Sequence, residues 1–168
     1  VAAPSTRGLE FVLEQQRQML VRMEISDEER LSKMELQRRI HDAVLTGDDW
    51  DDIPPDMRKQ ADTPWFSSYL NFWPADVIQD LRQPMVVIHG GLDRQIVPGH
   101  ADRLLEMGLA RDRRVATELV RFDALNHLLV PAVTGEVNEY PTLETRSVSA
   151  ELISALGEKL HKVMPSRR

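Results

Sequence analysis

The spacing of apolar residues changes at Pro84, and this change constrains the fold more than any other feature of the chain. Residues 85–88 form a continuous apolar run between proline and glycine, which is typical of a strand buried on both faces. We expect a helix over about 99–110, a strand over 115–122 and a closing helix over 147–163. A strand–helix–strand–helix order implies parallel strands, so the sequence predicts an α/β fold.

Two parallel strands do not complete such a sheet. Parallel sheets are buried on both faces, and a sheet of two strands leaves both outer edges open. We therefore expect further strands from an upstream part of the protein, a second copy or a partner chain. Without them, the exposed apolar face predicts that residues 1–168 alone form oligomers or aggregates.

The first half of the chain is predicted to be helical. Apolar residues at helical spacing indicate a helix over 9–23, and Ser26 with Glu29 has the form of a capping box that begins a second helix at about Asp27. This helix ends near Gly47, which suits a left-handed cap. The acidic residues of 48–52 lack the spacing of a calcium loop, so we interpret them as a solvated linker.

Prolines at the first position predict two short helices over 64–71 and 75–81. Five of the nine aromatic residues lie in this region: Trp65, Phe66, Tyr69, Phe72 and Trp73. We favour the interpretation that they anchor the helical segment to the core, where this segment meets the sheet. The alternative is that some of them line an apolar substrate pocket.

Composition excludes several functional classes. The chain has 168 residues, of which 42% are hydrophobic and 29% charged, as in ordinary globular domains. Its formal charge of −6 disfavours nucleic acid as a partner, and its apolar runs are far shorter than the roughly 18 residues of a membrane helix. The absence of cysteine excludes disulfides and thiolate zinc sites. The first residues lack the pattern of a signal peptide, so any export signal would lie upstream and the localisation is left open.

Asp93 and His127 each follow a predicted strand and are the candidate functional residues. The carboxyl ends of parallel strands meet at one edge of a sheet, where ligands bind. An aspartate there can orient a histidine, which then takes a proton on its other ring nitrogen. The alternatives are a surface aspartate in a turn and a histidine bonded to a carbonyl. The order of the two residues and their spacing along the chain favour the catalytic hypothesis.

The other histidines are given structural roles. His89 lies at the end of a predicted strand and His100 at a helix start, and their spacing does not favour a metal site with His127. We therefore predict no metal and no cofactor. His41 and His161 lie in charged helices and are predicted to be solvated.

The second half of the chain resembles an α/β-hydrolase, of the group that contains serine aminopeptidase-like and prolyl-oligopeptidase-related esterases. The similar stretches are residues 83–98, residues 125–131 and the following segment 135–140. The resemblance implies that Asp93 is the acid of a Ser–Asp–His triad and that His127 is its base. Small acyl or peptide substrates are implied as well.

Upstream segments are similar to the same family. Residues 64–74 look like the return from a helical cap, and residues 2–4 like the end of a core strand. The resemblance implies three regions: residues 1–8 as the end of a core strand leading into the cap, 9–81 as the helical cap, and 82–168 as the C-terminal part of the hydrolase core.

The nucleophile is missing from this chain. No two glycines are four positions apart, so no G-x-S-x-G elbow is present, and the loop that supplies the oxyanion donors is absent as well. The serine is expected upstream, in the N-terminal half of the same hydrolase or in a second chain, and this chain alone is expected to be inactive. The alternative hypothesis is a non-catalytic helical interaction module on an α/β scaffold.

Overall fold

The computed structural model describes residues 3–111 and 114–163. The chain forms two compact units, one of Thr6–Pro74 and one that combines the residues up to Ser5 with the chain from Ala75 onward. The first unit contains helices, and the second adds a two-stranded parallel sheet. The protein is therefore of mixed α/β class.

The helical unit contains α1 (Gly8–Val21), α2 (Asp27–Thr46), α3 (Pro55–Ala61) and α4 (Pro64–Asn71). The predicted cap of α2 is confirmed, because the Ser26 hydroxyl accepts a hydrogen bond from the Glu29 N–H at 3.1 Å. Gly47 ends this helix with a positive φ of 86°. Helix α3 was not predicted, although Pro55 occupies its first turn, as prolines often do.

The core of the helical unit lies between α2, α3 and the segment that joins them. Its buried residues are Ile40, Ala43, Trp50, Ile53 and Ala61, with Phe66 packed against them. This cluster packs α2 against α3 and α4. Of the five clustered aromatic residues, Phe66 packs in the core of the helical unit, whereas the Trp65 side chain is 71% exposed and stacks on Tyr69 with centroids 5.5 Å apart.

The prediction that His41 is solvated is wrong. Its ring is buried in the helical unit, with Nε2 2.9 Å from Gln37 Nε2 and the ring edge-on to Phe66. Helix α2 packs against both α1 and α4, so a position in a charged helix still faces protein. Burial lowers the pKa of His41, and the nearby Asp42 carboxylate opposes this only in part. His161, by contrast, is exposed as expected.

The α/β unit contains α5 (Pro74–Ile78), β1 (Met85–Gly90), α6 (Pro98–Leu109), β2 (Thr117–Phe122), a 3-10 helix (Val137–Thr142) and α7 (Ala150–Val163). The predicted strand–helix–strand–helix order is confirmed. The strands pair in parallel, with Met85 opposite Thr117 and Gly90 opposite Phe122. Helix α5 ends three residues before the predicted position 81, and α7 begins at Ala150 rather than at residue 147.

Helices cover the two faces of the sheet. On one face, Val87 of β1 packs with Ala101 and Leu104 of α6. On the other face, Phe122 of β2 packs with Leu152 of α7. Alternate residues of a strand point to opposite faces, so β1 is apolar at successive positions, whereas β2 also contains Glu118 and Arg121. The result is a three-layer arrangement of α6, sheet and α7.

Arg111 joins the segments at the amino ends of both strands. It donates to the carbonyls of Leu81, Gln83 and Gly108 and to the Thr117 hydroxyl, at 2.8–3.1 Å. A guanidinium has five donors in a fixed fork, so one buried side chain can serve several acceptors. These bonds lie at the opposite end of the sheet from Asp93 and His127.

The N-terminal segment is fastened to α6. The backbone N–H and the hydroxyl of the buried Ser5 lie 3.0 and 2.9 Å from His100 Nδ1, and Arg103 Nε donates to the same hydroxyl at 2.8 Å. Ala3 and Pro4 belong to no strand. Val1 and Ala2 lie outside the described residues, so the core strand expected there stays a prediction.

Each strand has one partner in the part of the chain that the structure describes, which leaves an outer edge on both β1 and β2. No helix of that part is both long enough and apolar enough to cross a bilayer.

Candidate active site

Two turns leave the sheet side by side. Because Gly90 and Phe122 are register partners at the ends of β1 and β2, the segments that follow them emerge at the same edge. The first turn carries Asp93 and the second carries His127. The N–H of Gly91 donates to the Phe122 carbonyl at 2.8 Å and extends the pairing past the last strand residue.

The Asp93 carboxylate is fixed by its own turn. Its Oδ1 accepts hydrogen bonds from the backbone N–H groups of Gln95 at 2.9 Å and Ile96 at 2.8 Å. The Asp93 N–H donates to the Gly90 carbonyl at 2.9 Å. Such a turn is a common use of aspartate. Here it leaves the second carboxylate oxygen, Oδ2, for another partner.

The His127 turn is organised by the residue before the histidine. Asn126 is buried, and its side-chain oxygen accepts from the N–H groups of Leu128 at 2.9 Å and Val130 at 3.3 Å. Leu129 adopts a positive φ of 59°, which closes the turn. Asn126 lies in the stretch 125–131 that resembles the hydrolase family, and its side-chain oxygen makes the bonds that shape the loop.

Glycine at the end of β1 lets the two turns touch through their backbones. A Cβ atom at Gly90 would lie 2.4 Å from the Leu125 carbonyl oxygen and 2.8 Å from that of Asn126. The N–H of Leu92 donates to the same Leu125 carbonyl at 2.9 Å. A side chain at position 90 would therefore push the Asp93 turn away from the His127 turn.

The predicted contact between the two candidate residues is confirmed. Asp93 Oδ2 lies 3.0 Å from His127 Nδ1. The carboxylate side chain is 5% exposed and the imidazole 32%. The acid is therefore shielded, while the histidine reaches the surface. With the carboxylate on Nδ1, the opposite nitrogen Nε2 is the one available for proton transfer.

The pair also shifts the protonation of both groups. Burial alone would raise the pKa of Asp93, but the hydrogen bonds from His127, Ile96 and Gln95 outweigh it and lower that pKa. The hydrogen bond to Asp93 raises the pKa of His127, against a smaller opposing effect of burial. The site therefore holds an ionised acid that favours the charged form of its histidine.

A loop after the histidine turn is tied to the Asp93 turn. The Glu139 carboxylate accepts from three successive backbone N–H groups, those of residues 133–135, at 2.7–2.9 Å. Hydrogen bonds from Thr134 and from this backbone lower the pKa of Glu139 to about 2. Arg94 donates to the Thr134 carbonyl at 3.2 Å, and Gln95 to the Tyr140 hydroxyl at 2.9 Å.

Sequence reasoning missed this use of Glu139. A glutamate four residues after a Thr–Gly turn was the available signal, because such turns present free backbone N–H groups. Gly135 itself has a positive φ of 75°, and a Cβ there would lie 1.8 Å from the Leu92 carbonyl oxygen.

The remaining histidines of the α/β unit do not join the pair. His89 and His100 are buried, one contacting the Ile96 carbonyl and the other Ser5. Among the residues that the structure describes, no three His, Asp or Glu side chains are grouped so that they could hold a metal ion.

Comparisons with protein-family models, with curated proteins and with solved structures give no significant match to this chain.

Proposed function

We propose that this chain supplies the acid and the base of a serine hydrolase that cleaves an ester, thioester or amide. The observation that carries the proposal is the 3.0 Å contact between Asp93 Oδ2 and His127 Nδ1 where two parallel strands end. Buried carboxylate, half-buried imidazole and a raised histidine pKa are what a triad requires of these two members.

The roles follow from the geometry. Asp93 holds the imidazole with the Nδ1 proton directed at Oδ2. His127 Nε2 then takes the proton of an attacking serine and returns it to the leaving group. The serine and the oxyanion donors belong to a segment outside this chain, as the α/β-hydrolase resemblance implies. Helices on both faces of a parallel sheet, as α6 and α7 are, support that resemblance.

The same resemblance makes residues 9–81 a helical cap in our proposal. Lids of this kind exclude water and select the substrate. The substrate class proposed is a small molecule or peptide with an acyl group.

The missing strands would come from the N-terminal half of the same hydrolase or from a partner chain. The open outer edges of β1 and β2 support this. Light scattering on residues 1–168 alone should show oligomers or aggregates. A well-behaved monomer near 19 kDa would contradict the proposal of a larger sheet.

A fluorophosphonate probe tests the reaction class, because it labels only an activated serine. We expect labelling of the full-length protein and its loss in His127→Asn. The matched control is His161→Asn, which changes an exposed histidine of α7 and should label like the parent. Absence of labelling in the parent, or equal labelling in the two variants, would reject the serine-hydrolase proposal.

A second candidate is a non-catalytic helical interaction module. It is favoured by apolar side chains that are exposed at the end of α1 and near the start of α2, with Val21 66% and Leu31 71% exposed. Exposed apolar patches mark docking sites on many proteins. A protein that does not label but loses a bound partner in Val21→Ser and Leu31→Ser would support this alternative.

A further inference from the structure

His89 is the buried histidine closest in sequence to the Asp93 turn. It is the fifth of the six residues of β1 and is 3% exposed. By strand alternation it lies on the same face of the sheet as Val87, the face that α6 covers. It follows that the ring is held among packed groups and not in solvent.

The contacts of this ring reach Asp93 through one residue. His89 Nε2 lies 2.9 Å from the Ile96 carbonyl oxygen. A carbonyl can only accept, so the Nε2 nitrogen carries the proton. The Ile96 N–H in turn donates to Asp93 Oδ1 at 2.8 Å. Ile96 is therefore held at its carbonyl by the strand and holds the carboxylate with its amide.

Packing alone gives no reason for a histidine at this position. With the proton on Nε2, the buried Nδ1 is an acceptor, and it has no partner among the described residues. A buried acceptor without a donor costs free energy that an apolar side chain would avoid. A small cavity of about 10 Å³ adjoins the ring and is lined by Asp93 and Ile96 among others. What offsets the cost is the bond at Nε2.

We propose that His89 is a positioning residue, whose Nε2–H holds the Ile96 carbonyl and so keeps the turn of residues 93–96 in the shape that presents Asp93 Oδ2 to His127. The catalytic consequence rests on the proposed function. The positioning itself affects the contact between Asp93 and His127, which can be followed without any substrate.

Two substitutions of His89 by an amide side chain distinguish the role of the hydrogen-bond donor at Nε2 from that of the imidazole ring. The side-chain nitrogen of glutamine extends about as far as histidine Nε2, whereas that of asparagine stops near Nδ1 and cannot reach the Ile96 carbonyl. His89→Gln should keep the turn and His89→Asn should release it. Both side chains are polar and uncharged, and they differ by one methylene group.

The readout is the titration of His127, followed by NMR of its ring carbons in the full chain and assigned by its loss in His127→Asn. In the parent and in His89→Gln, we expect a pKa raised above the usual 6.5 for histidine. In His89→Asn, it should fall by at least half of the fall that Asp93→Asn produces. Equal titration in the glutamine and asparagine variants would overturn the proposal.

Arg111→Met is the control for general loosening of the unit. It removes hydrogen bonds at the amino ends of the strands, far from Asp93 along both strands. His127 should titrate in it as in the parent, and a fall as large as in His89→Asn would overturn the proposal.

Hydrogen exchange of the Ile96 amide adds a test that needs no variant. If this amide exchanges as fast as one in an open loop, the turn is not held and the proposal fails.

The two proposals fail separately. If the parent protein does not react with the fluorophosphonate but His127 responds to the position 89 variants as described, the hydrolase proposal is rejected and His89 retains its positioning role. If the parent reacts but His127 titrates identically in all position 89 variants, the hydrolase proposal stands and the His89 inference is rejected.

Discussion

One histidine of the helical unit and one at the strand ends of the α/β unit have pKa values that are shifted in opposite directions. His41 is buried beside Gln37 and Phe66, and burial lowers its pKa. His127 keeps about a third of its surface exposed and faces the Asp93 carboxylate, which raises its pKa. At His41 burial outweighs the nearby Asp42 carboxylate and the pKa falls. At His127 the hydrogen bond to Asp93 outweighs burial and the pKa rises.

The comparison is tested most strongly by removing the carboxylate. Asp93→Asn should lower fluorophosphonate labelling of the full-length protein about 10³- to 10⁴-fold, the size of loss seen when a triad acid becomes an amide. His127 should then titrate at a lower pH, because its largest pKa-raising partner is gone.

The control for this loss is Asp123→Asn, an exposed aspartate in the neighbouring turn. It should label normally. If the two variants label alike, Asp93 has no special relation to the base.

A backbone change should separate the two turns without touching either side chain. In Gly90→Ala, the new Cβ meets the Leu125 carbonyl at 2.4 Å, so the backbone must shift. We expect a loss of about 1–3 kcal/mol in the free energy of unfolding, as for other overpacked sites. Urea denaturation would measure it.

Gly157→Ala in α7 is the matched control, since a Cβ atom at that position would have nothing within 4 Å of it. It should stabilise the protein by roughly 0.5–1 kcal/mol, because alanine is the better helix former. A Gly90→Ala variant as stable as this control would mean that the turns are not in backbone contact.

The two histidines also predict opposite responses to pH. The folded pKa of His41 is lowered, so the unfolded chain binds more protons below pH 6.5 and the helical unit loses stability as the pH falls through that value. The folded pKa of His127 is raised, so its contribution is complete below pH 6.5 and is lost as the pH rises through the folded pKa.

Asp93 adds a contribution to stability that depends on pH in the acidic range. Its folded pKa is lowered, so its contribution is present above its usual pKa of 3.8 and is lost as the pH falls through the folded value.

The contribution of His41 can be measured by hydrogen exchange at pH 7.5 and 5.5, which should show α2 opening more readily at the lower pH. His41→Phe should remove that response, and a response that persists in this variant would assign it to other groups.

The smallest effect is expected at the exposed aromatic face of α4. Trp65→Ala should change the free energy of unfolding by less than about 0.5 kcal/mol, because the side chain is 71% exposed. Trp50→Ala, in the core of the same unit, should cost about 3–5 kcal/mol. Circular dichroism during denaturation compares the two. If the two substitutions lowered the free energy of unfolding equally, Trp65 would be a packing residue like Trp50.

Sequence alone could predict the strand–helix–strand–helix order and the contact of Asp93 with His127. The element order follows from the change of apolar period at Pro84, and the contact follows from the rule that parallel strand ends meet at one edge of a sheet. The pairing of Gly90 with Phe122 then places the two turns together.

What sequence missed depends on contacts between elements. His41 lies among charged residues along its helix, and it is buried because α2 packs against other helices, among them α4 with Phe66. Glu139 binds backbone N–H groups that any residue possesses, so only the preceding Thr–Gly turn could have indicated its role. Helix α3 is seven residues long and begins directly after the acidic linker, too short to show a period of its own.

The parallel pairing of β1 with β2 also determines when the site can exist during folding. The two strands meet only after a crossover that contains all of α6, and pairings distant in sequence form late. Asp93 and His127 are brought together by this pairing, so we expect their contact, and with it the raised His127 pKa, to form only together with the sheet.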